Sequence, residues 1–257
     1  MSAVDRATVF GEVAETYDRM RPEYPGEMFD DLAREGRLVE GSSVLEVGCG
    51  TGIATRDLVD RGYQVTAVDP DSRMLDVARR RFAGGEVRFI EGRFEAGRVR
   101  GDFDLVFAAG SWHWLDADTA LARAAAVLAR SGVLAVCWNL PRPDDSARPS
   151  GLDEAYRAHA PELLGVASQT RNRTQEHRRA AIASSRWFQD PLSMSYPWSR
   201  SLRAEEYCDL LSTHSDHVML GPARLSRLLD AVGRVIDDAG GRLELRYETV
   251  LYVAHRS

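Results

Sequence analysis

The stretch Val44-Leu45-Glu46-Val47-Gly48-Cys49-Gly50-Thr51-Gly52 constrains the fold more than any other part of the chain. An apolar run suited to a strand buried on both faces passes directly into three glycines, and a helical pattern follows. Glycine accepts positive φ and lets backbone approach a ligand closely. A helix opening after such a loop turns its unpaired N–H groups toward the ligand. Nicotinamide dinucleotide sites use the same geometry with the spacing G-x-G-x-x-G. Here the spacing is G-x-G-x-G, and Ile53 stands where the third glycine would be. Glu46 points the same way, because a carboxylate in a doubly covered strand is costly unless a cation or donors meet it. An ammonium or sulfonium meets that need, whereas a pyrophosphate repels it.

Short β-branched runs recur down the chain: Ser43–Val47, Gln64–Val68, Val87–Ile90, Leu105–Ala108 and Val133–Trp138. Helical patterns separate them. Ser72–Phe82 sets Met74, Leu75, Ala78 and Phe82 on one face, and Asp118–Ala129 does so with Leu121, Ala124, Ala125 and Leu128. That rhythm predicts an α/β fold with a parallel sheet, right-handed crossovers and helices on both faces. After Asn139 the texture changes to a polar stretch with Pro141, Pro143 and Pro149, a helical piece over Leu152–Leu164 and the basic run Arg171–Arg179. Residues 141–190 read as a helical insertion that forms a cap. The strand rhythm resumes at Leu192–Tyr196, followed by a helix at Ala204–Leu211 and a long helix over Pro222–Ala239. The long helix turns Leu225, Leu228, Leu229, Val232 and Ile236 inward, with Pro222 and Gly240 as its punctuation. Arg242–His255 alternates Leu243, Leu245 and Tyr247 close behind its predecessor, so it enters antiparallel. The expectation is a doubly wound, mostly parallel seven-stranded sheet, Rossmann-like, with an antiparallel last strand, in a single domain of residues 1–257.

Composition excludes several chemistries. All 33 basic residues are arginine, so no Schiff-base or P-loop lysine exists. The balance of −6 has no clustered positive face of the kind that phosphate backbones need, so nucleic acid is not an expected partner. The runs Arg79–Arg81 and Arg171–Arg179 are expected on solvated faces. Cys49, Cys137 and Cys208 form no C-x-x-C pair, which supports neither disulfides nor a zinc ribbon. No run approaches the roughly 20 apolar residues of a bilayer span, and the first 25 residues lack a signal peptide's apolar core, so a cytoplasmic protein without membrane contact is expected.

Two further residues carry chemistry. Asp69 ends the second strand, where an acid can accept both hydroxyls of a ribose. His113 follows the fourth strand at the carboxyl edge where open sheets build their sites, and it is the candidate catalytic histidine. His214, Asp216 and His217 have a spacing that fits a metal on a helix face but no convincing third ligand, so no metal is expected. Cys49 has no base near it and reads as a small loop residue.

Together, Glu46–Gly52, Val68-Asp69-Pro70 with Met74, Phe103-Asp104-Leu105-Val106 and Ser111-Trp112-His113-Trp114-Leu115-Asp116 resemble the class I S-adenosylmethionine-dependent methyltransferases. Phe10-x-x-x-Ala14-x-x-Tyr17-x-x-x-Arg21-Pro22-x-Tyr24-Pro25 resembles the lid of the methyltransferase type 11 branch that includes trans-aconitate-methyltransferase-like enzymes, and makes residues 1–40 lid helices. The resemblance implies a methyl transfer from S-adenosyl-L-methionine, leaving S-adenosyl-L-homocysteine, to a small-molecule substrate such as a metabolite or natural product. It implies that Gly48, Cys49, Gly50 and Gly52 lie against the methionine half of the cofactor, that Glu46 steers its amino end and that Asp69 with Pro70 holds the ribose. Met74, Phe94, Glu95 and Ala109 would flank the adenosine, and Tyr17 and Arg21 would close over it. The third-strand loop reads Glu91-Gly92-Arg93-Phe94-Glu95, without the small acidic residue the family often has there.

The aromatic residues of the insertion, Tyr156, His159, Trp187 and Phe188, and also Trp198, suggest an apolar acceptor pocket. Alternatives are a cofactor-binding protein that transfers nothing and an NAD(P)-dependent oxidoreductase, the latter opposed by Ile53 and Glu46. The chain is expected as a monomer or homodimer.

Overall fold

A computed structural model describes residues 13–142, 149–164 and 177–257. Phe10, Pro143, Arg171 and Arg173 of the motifs above lie outside these residues. Seven strands, β1 (Ser43–Val47), β2 (Gln64–Asp69), β3 (Val87–Glu91), β4 (Phe103–Ala109), β5 (Leu128–Arg142), β6 (Leu192–Arg203) and β7 (Arg242–His255), form one sheet in the order β3-β2-β1-β4-β5-β7-β6. β1 to β5 pair in parallel, and β7 runs antiparallel between β5 and β6. The strand order reverses between β1 and β4, which opens the crevice at their carboxyl ends where ligands of such sheets sit.

The helices are α1 (Ala14–Met20), α2 (Gly26–Gly36), α3 (Ile53–Asp60), α4 (Ser72–Arg81), α5 (Ala117–Val127), α6 (Leu152–His159), α7 (177–183), α8 (Ala204–Ser212), α9 (Ser215–Val218) and α10 (Pro222–Asp238). Aspartates start two of them: Asp71 accepts the Arg73 N–H at 3.0 Å, and Asp116 accepts that of Thr119 at 3.0 Å. Alternate residues of each strand feed opposite cores. Val44, Val65, Leu105, Val133 and Leu251 pack with Phe29, Leu32 and Leu58 of α2 and α3. Leu45, Val68, Val106, Leu134 and Tyr252 pack with Leu121 and Ala124 of α5, Ile182 of α7 and Phe188. Glu46 shares the parity of Val44, so its carboxyl lies under α3.

A third apolar cluster stands apart from the sheet, where Leu152, Ala155 and Tyr156 of α6 meet Leu211 of α8 and Leu228, Val232 and Ile236 of α10. The two ends of the sequence insertion therefore pack differently. α6 joins α8 and α10, whereas α7 and Phe188 cover the sheet. Of the five positions expected to turn inward on α10, Leu225 and Leu229 are only half-buried.

β5 and β6 run past their expected ends. β7 templates both neighbours, pairing as far as Arg142↔Arg246 and Arg203↔Arg242. Pro197 is tolerated because β6 is the edge strand.

Candidate functional site

The glycine loop turns the chain from β1 into α3 with positive φ at each glycine: 70° at Gly48, 56° at Gly50 and 84° at Gly52. Their surroundings differ. A Cβ on Gly48 would lie 2.5 Å from the Ser111 Cβ, and one on Gly52 would lie 2.8 Å from the Phe82 ring. At Gly50 the nearest atom would be Met74 Cε at 3.4 Å. Gly48 and Gly52 thus pack the loop shut against its own protein, while Gly50 faces the open crevice.

Glu46 lies at the end of β1 and is 1% exposed. Its Oε2 accepts the Thr55 hydroxyl at 2.6 Å, and no cation pairs with it among the described residues. Burial raises its carboxyl to about 8, against the smaller opposing effect of the Thr55 bond. Asp69 ends β2 with both oxygens engaged by backbone: Oδ2 accepts Gly50 N–H and Oδ1 accepts Asp71 N–H, each at 2.9 Å. Burial holds it at about 6 despite those bonds. Asp69 fixes the glycine loop and keeps lone pairs directed at the crevice. Cys49 is buried, and its thiol is pushed well above its ordinary range, which makes it a poor nucleophile.

Beyond Asp69 a narrow slot is walled by Pro70, Met74, Phe94, Ala109, Trp114 and Leu115. Glu95 Oε2 is buried in this slot without a hydrogen-bond partner. Such an orphan acceptor costs free energy until a donor arrives. A second cavity of about 290 Å³ opens from Gly48 and Gly50 on the other side, with Glu46, Thr51, Tyr24, His113 and Asn139 in its walls. Thr51 Oγ1 is likewise buried and unpartnered. Tyr17 lines both spaces and so marks their junction.

α1 crosses the mouth of this junction. Arg21, just past its end, stacks 4.8 Å over Tyr17 and donates from Nε to Thr213 Oγ1 at 3.1 Å and from Nη2 to the Thr213 carbonyl at 2.8 Å. On the opposite side Arg81 binds Asp18 at 2.8 Å and Arg80 binds Glu15. The segment after α1 is held by Arg200, which donates to the Met20 carbonyl at 2.7 Å, and by Asn139, which donates to that of Glu23 at 3.1 Å.

His113 sits in a short 3₁₀ turn, Trp112–Trp114, after β4, and its ring is open to the second cavity. The Trp138 indole N–H donates to His113 Nδ1 at 3.3 Å. The neutral ring therefore carries its proton on Nε2. The surrounding protein, then Arg178 and Arg21, lowers its basicity to about 3. Arg178 contradicts the solvated-face reading of the basic run: it stacks 4.6 Å over Trp138, and burial lowers its own pKa to about 10. Arg179 keeps that reading, paired with Asp190 on the surface.

Sequence reasoning missed the far wall of the cavity, which comes from the C-terminal elements: Leu210, His214 and Tyr247, with Pro141 of β5. The aromatic residues expected there point elsewhere. Tyr156 is buried in the α6–α8–α10 cluster, Phe188 is buried in the sheet core with Trp187 packed against it, and Trp198 stacks on Tyr247 at 4.5 Å beside a neighbouring groove. The His159 carbonyl accepts from Arg224 at 3.1 Å. The ligand atoms of His214, Asp216 and His217 lie within 4.8 Å of one another, and His217 is already engaged at both nitrogens. Its Nδ1 meets Asp216 Oδ1 at 2.7 Å, and its Nε2 meets Tyr156 Oη at 2.9 Å. Only the pattern of polar residues between α8 and α10 hinted at this wall, since its members are brought together by tertiary pairing.

Comparison with known proteins follows the same outline. Residues 44–132 match the family model described as a methyltransferase domain. An uncharacterized methyltransferase of Mycobacterium tuberculosis is 37% identical over 135 residues, covering 52% of this chain and 54% of that one. The chain thus spans about half the length of the curated relatives it matches first. An uncharacterized methyltransferase-like protein of Schizosaccharomyces pombe is 27% identical over 98% of this chain and 97% of its own. Among solved structures, a protein of Anaeromyxobacter dehalogenans assigned as a type II methyltransferase has a TM-score of 0.63 at 21% identity, covering 91% of this chain and 97% of that one. An N-methyltransferase of Haemonchus contortus, solved with phosphomonomethylethanolamine and S-adenosylhomocysteine, has a TM-score of 0.54 at 15% identity, covering 98% and 59%. These likenesses establish the fold. No helix among the described residues is long and apolar enough to cross a membrane.

Proposed function

We propose that this chain is a class I S-adenosylmethionine-dependent methyltransferase that passes a methyl group from S-adenosylmethionine to a small-molecule acceptor without a metal. The observation that carries the reading is Glu46, a buried carboxyl with no cation paired to it among the described residues, just ahead of the glycine loop. A cationic ligand lying over Gly48 and Gly50 turns that cost into attraction. The other groups fit the same molecule. Asp69 has lone pairs for ribose hydroxyls, Pro70, Met74 and Phe94 make an apolar slot for a base, and the orphan Glu95 oxygen suits an exocyclic amine. Tyr17 and Arg21 close the mouth over it, so residues 1–40 serve as a lid.

The bound cofactor supplies an electrophilic methyl group, which is why no metal is needed. The chain's own residues align the acceptor behind that carbon and exclude water. His113 offers an Nε2–H donor to the cavity and acts as an orienting hydrogen bond to the acceptor. The cap is composite: α6 from the 141–190 insertion together with α8 to α10. The walls hold few charges beyond Arg21 and Glu46, and with Trp138 and Tyr247 they suit a metabolite of modest size, handled by a monomer or homodimer.

Thermal unfolding with S-adenosylhomocysteine and, separately, with a nicotinamide dinucleotide tests this reading. At 100 times its dissociation constant a native-state ligand adds about 2.7 kcal/mol, a rise of several degrees for a chain this long. A rise with the adenosyl ligand alone is expected, and a mass-spectrometric screen with S-adenosylmethionine then finds the acceptor. A rise with the dinucleotide alone refutes the cofactor class, and methylation of no acceptor leaves a binding protein.

A further inference from the structure

The acceptor cavity holds two histidines in opposite electrostatic settings. His113 accepts from Trp138 at Nδ1 and faces the positive charges of Arg21 and Arg178, so it is a donor and a weak base. His214 lies in the far wall, its ring meeting that of His217 edge-on at 5.6 Å. A ring nitrogen of His214 is within 4.8 Å of an Asp216 carboxylate oxygen. Asp216 is held by two bonds from His217, one from the backbone N–H at 2.8 Å and one from the ring at 2.7 Å. His217 is buried and closed at its far side by Tyr156 Oη. We infer that His214 is the general base for the acceptor, and that Asp216, His217 and Tyr156 are positioning residues that keep the carboxylate beside it.

This inference rests on the methyl-transfer reading and narrows it to acceptors bearing a protonated group, a hydroxyl or an ammonium. The acceptor heteroatom forms its bond to the methyl carbon as the carbon–sulfur bond breaks, and the sulfonium leaves as a neutral thioether. A hydroxyl passes its proton to a ring nitrogen of His214 as the new bond forms, whereas an ammonium passes it beforehand and so frees the lone pair that attacks. The imidazolium so formed is stabilised by Asp216.

The groups packed around His214 decide its charge. On its own segment Asp216 favours the imidazolium, and the two histidines draw the Asp216 carboxyl down to about 2. From the lid, Arg21 opposes protonation, held on the Thr213 hydroxyl and on the Thr213 carbonyl that directly precedes His214. Across the cavity stand His113, Cys49, Glu46, Tyr17, Tyr24 and Tyr247. Burial raises Cys49, Glu46 and Tyr24 in the ligand-free chain, and with the cofactor bound Glu46 ionises against the ligand's own ammonium, so that pair adds no net charge to the wall. On α10, Arg224 is turned away onto Glu162. Asp216 and Arg21 thus pull the charge of His214 in opposite directions, and the carboxylate lies within 4.8 Å of a ring nitrogen.

The test is a pH titration of the histidine ring signals by NMR on the full chain saturated with S-adenosylhomocysteine, with the His214 signal identified from its loss in His214→Gln. His214 is expected to titrate with a proton affinity that Asp216 raises. Asp216→Asn is expected to lower its proton affinity about tenfold or more, and His113 should stay neutral down to pH 5. With an acceptor from the screen, the acid limb of turnover should follow the His214 midpoint and move down with it in Asp216→Asn. Should His214→Gln fail to fold, Asp216→Asn and Tyr156→Phe supply the same readings. A His214 midpoint that ignores Asp216→Asn overturns the proposal, and so does full turnover in His214→Gln. Loss of the thermal shift with S-adenosylhomocysteine in the unaltered protein refutes instead the cofactor reading beneath it.

Discussion

Replacing Glu46 by Gln is expected to stabilise the ligand-free protein while weakening its hold on the cofactor. In the folded chain the Glu46 carboxyl is raised from its ordinary 4.5 to about 8. The native state therefore binds a proton that the unfolded chain has lost, and stability falls as pH rises from 4.5 to about 8. Each pH unit in that window costs about 1.4 kcal/mol, so at pH 7 the buried acid costs up to about 3 kcal/mol. Other groups act lower on the scale. Asp69, raised to about 6, gives the same sign between 3.8 and 6. His113, lowered to about 3, gives the opposite sign, with stability rising until pH 6.5. Between pH 6.5 and 8 the slope that the Gln variant removes belongs to Glu46, because any contribution of His214 is common to both proteins. Gln keeps the acceptor for the Thr55 hydroxyl and cannot ionise. Urea unfolding of the ligand-free protein at pH 6.5 and 8 should show the wild type losing about 2 kcal/mol more than the Gln variant. At pH 7 the variant should melt roughly 5 to 10 °C higher. Calorimetry in buffers of different ionisation enthalpy should show the wild type releasing a proton on binding S-adenosylmethionine at pH 7, and the variant not. Parallel stability slopes in the two proteins would refute the reasoning.

Gly48→Ala should cost more than about 2 kcal/mol in urea unfolding, because the new Cβ meets Ser111 at 2.5 Å in a left-handed backbone. Gly50→Ala has 3.4 Å of room, so it should lose far less stability and show its damage as a reduced thermal shift with S-adenosylhomocysteine. Trp138→Phe should release the His113 tautomer, read as a change in its ring ¹⁵N shifts from a fixed Nε2–H pattern to a mixture. Leu228→Ala should cost about 2 to 5 kcal/mol through a cavity in the α6–α8–α10 cluster, with the melting temperature as readout.

The parallel half of the sheet was legible in the sequence because its order is local. Strand, glycine loop and helix follow one another within about ten residues, and period-2 and period-3.6 patterns report each element without its neighbours. Pairing across the chain is not local. β6 continues to Arg203 because β7 is there to pair with it, and no signal near Pro197 says so. The site divides along the same line. Gly48, Gly50, Glu46 and Asp69 come from adjacent strand ends and were readable, whereas Thr55 on Glu46, Trp138 on His113 and Thr213 on Arg21 unite positions 9, 25 and 192 residues apart. The acceptor wall was assigned to insertion aromatics on composition. Those side chains are large and apolar, and they went to the cores that such residues fill first.

The anchoring of α1 bears on how long a ligand stays. Its grip on α4 joins a small apolar contact of Ala14 and Tyr17 with Met74 and Val77 to arginine–carboxylate pairs at the surface, Arg80 with Glu15 more open to water than Arg81 with Asp18. On the other side Met20 packs on Leu202 and Leu210 while Arg21 binds the neutral hydroxyl and carbonyl of Thr213. Added salt screens the first side and hardly touches the second. With those pairs screened, the α4 side of the helix is expected to loosen before the Thr213 side, opening the slot beside Met74 before the cavity beside His214. Ionic strength should accordingly shorten residence time far more than it slows capture, and a spent cofactor would depart adenine end first.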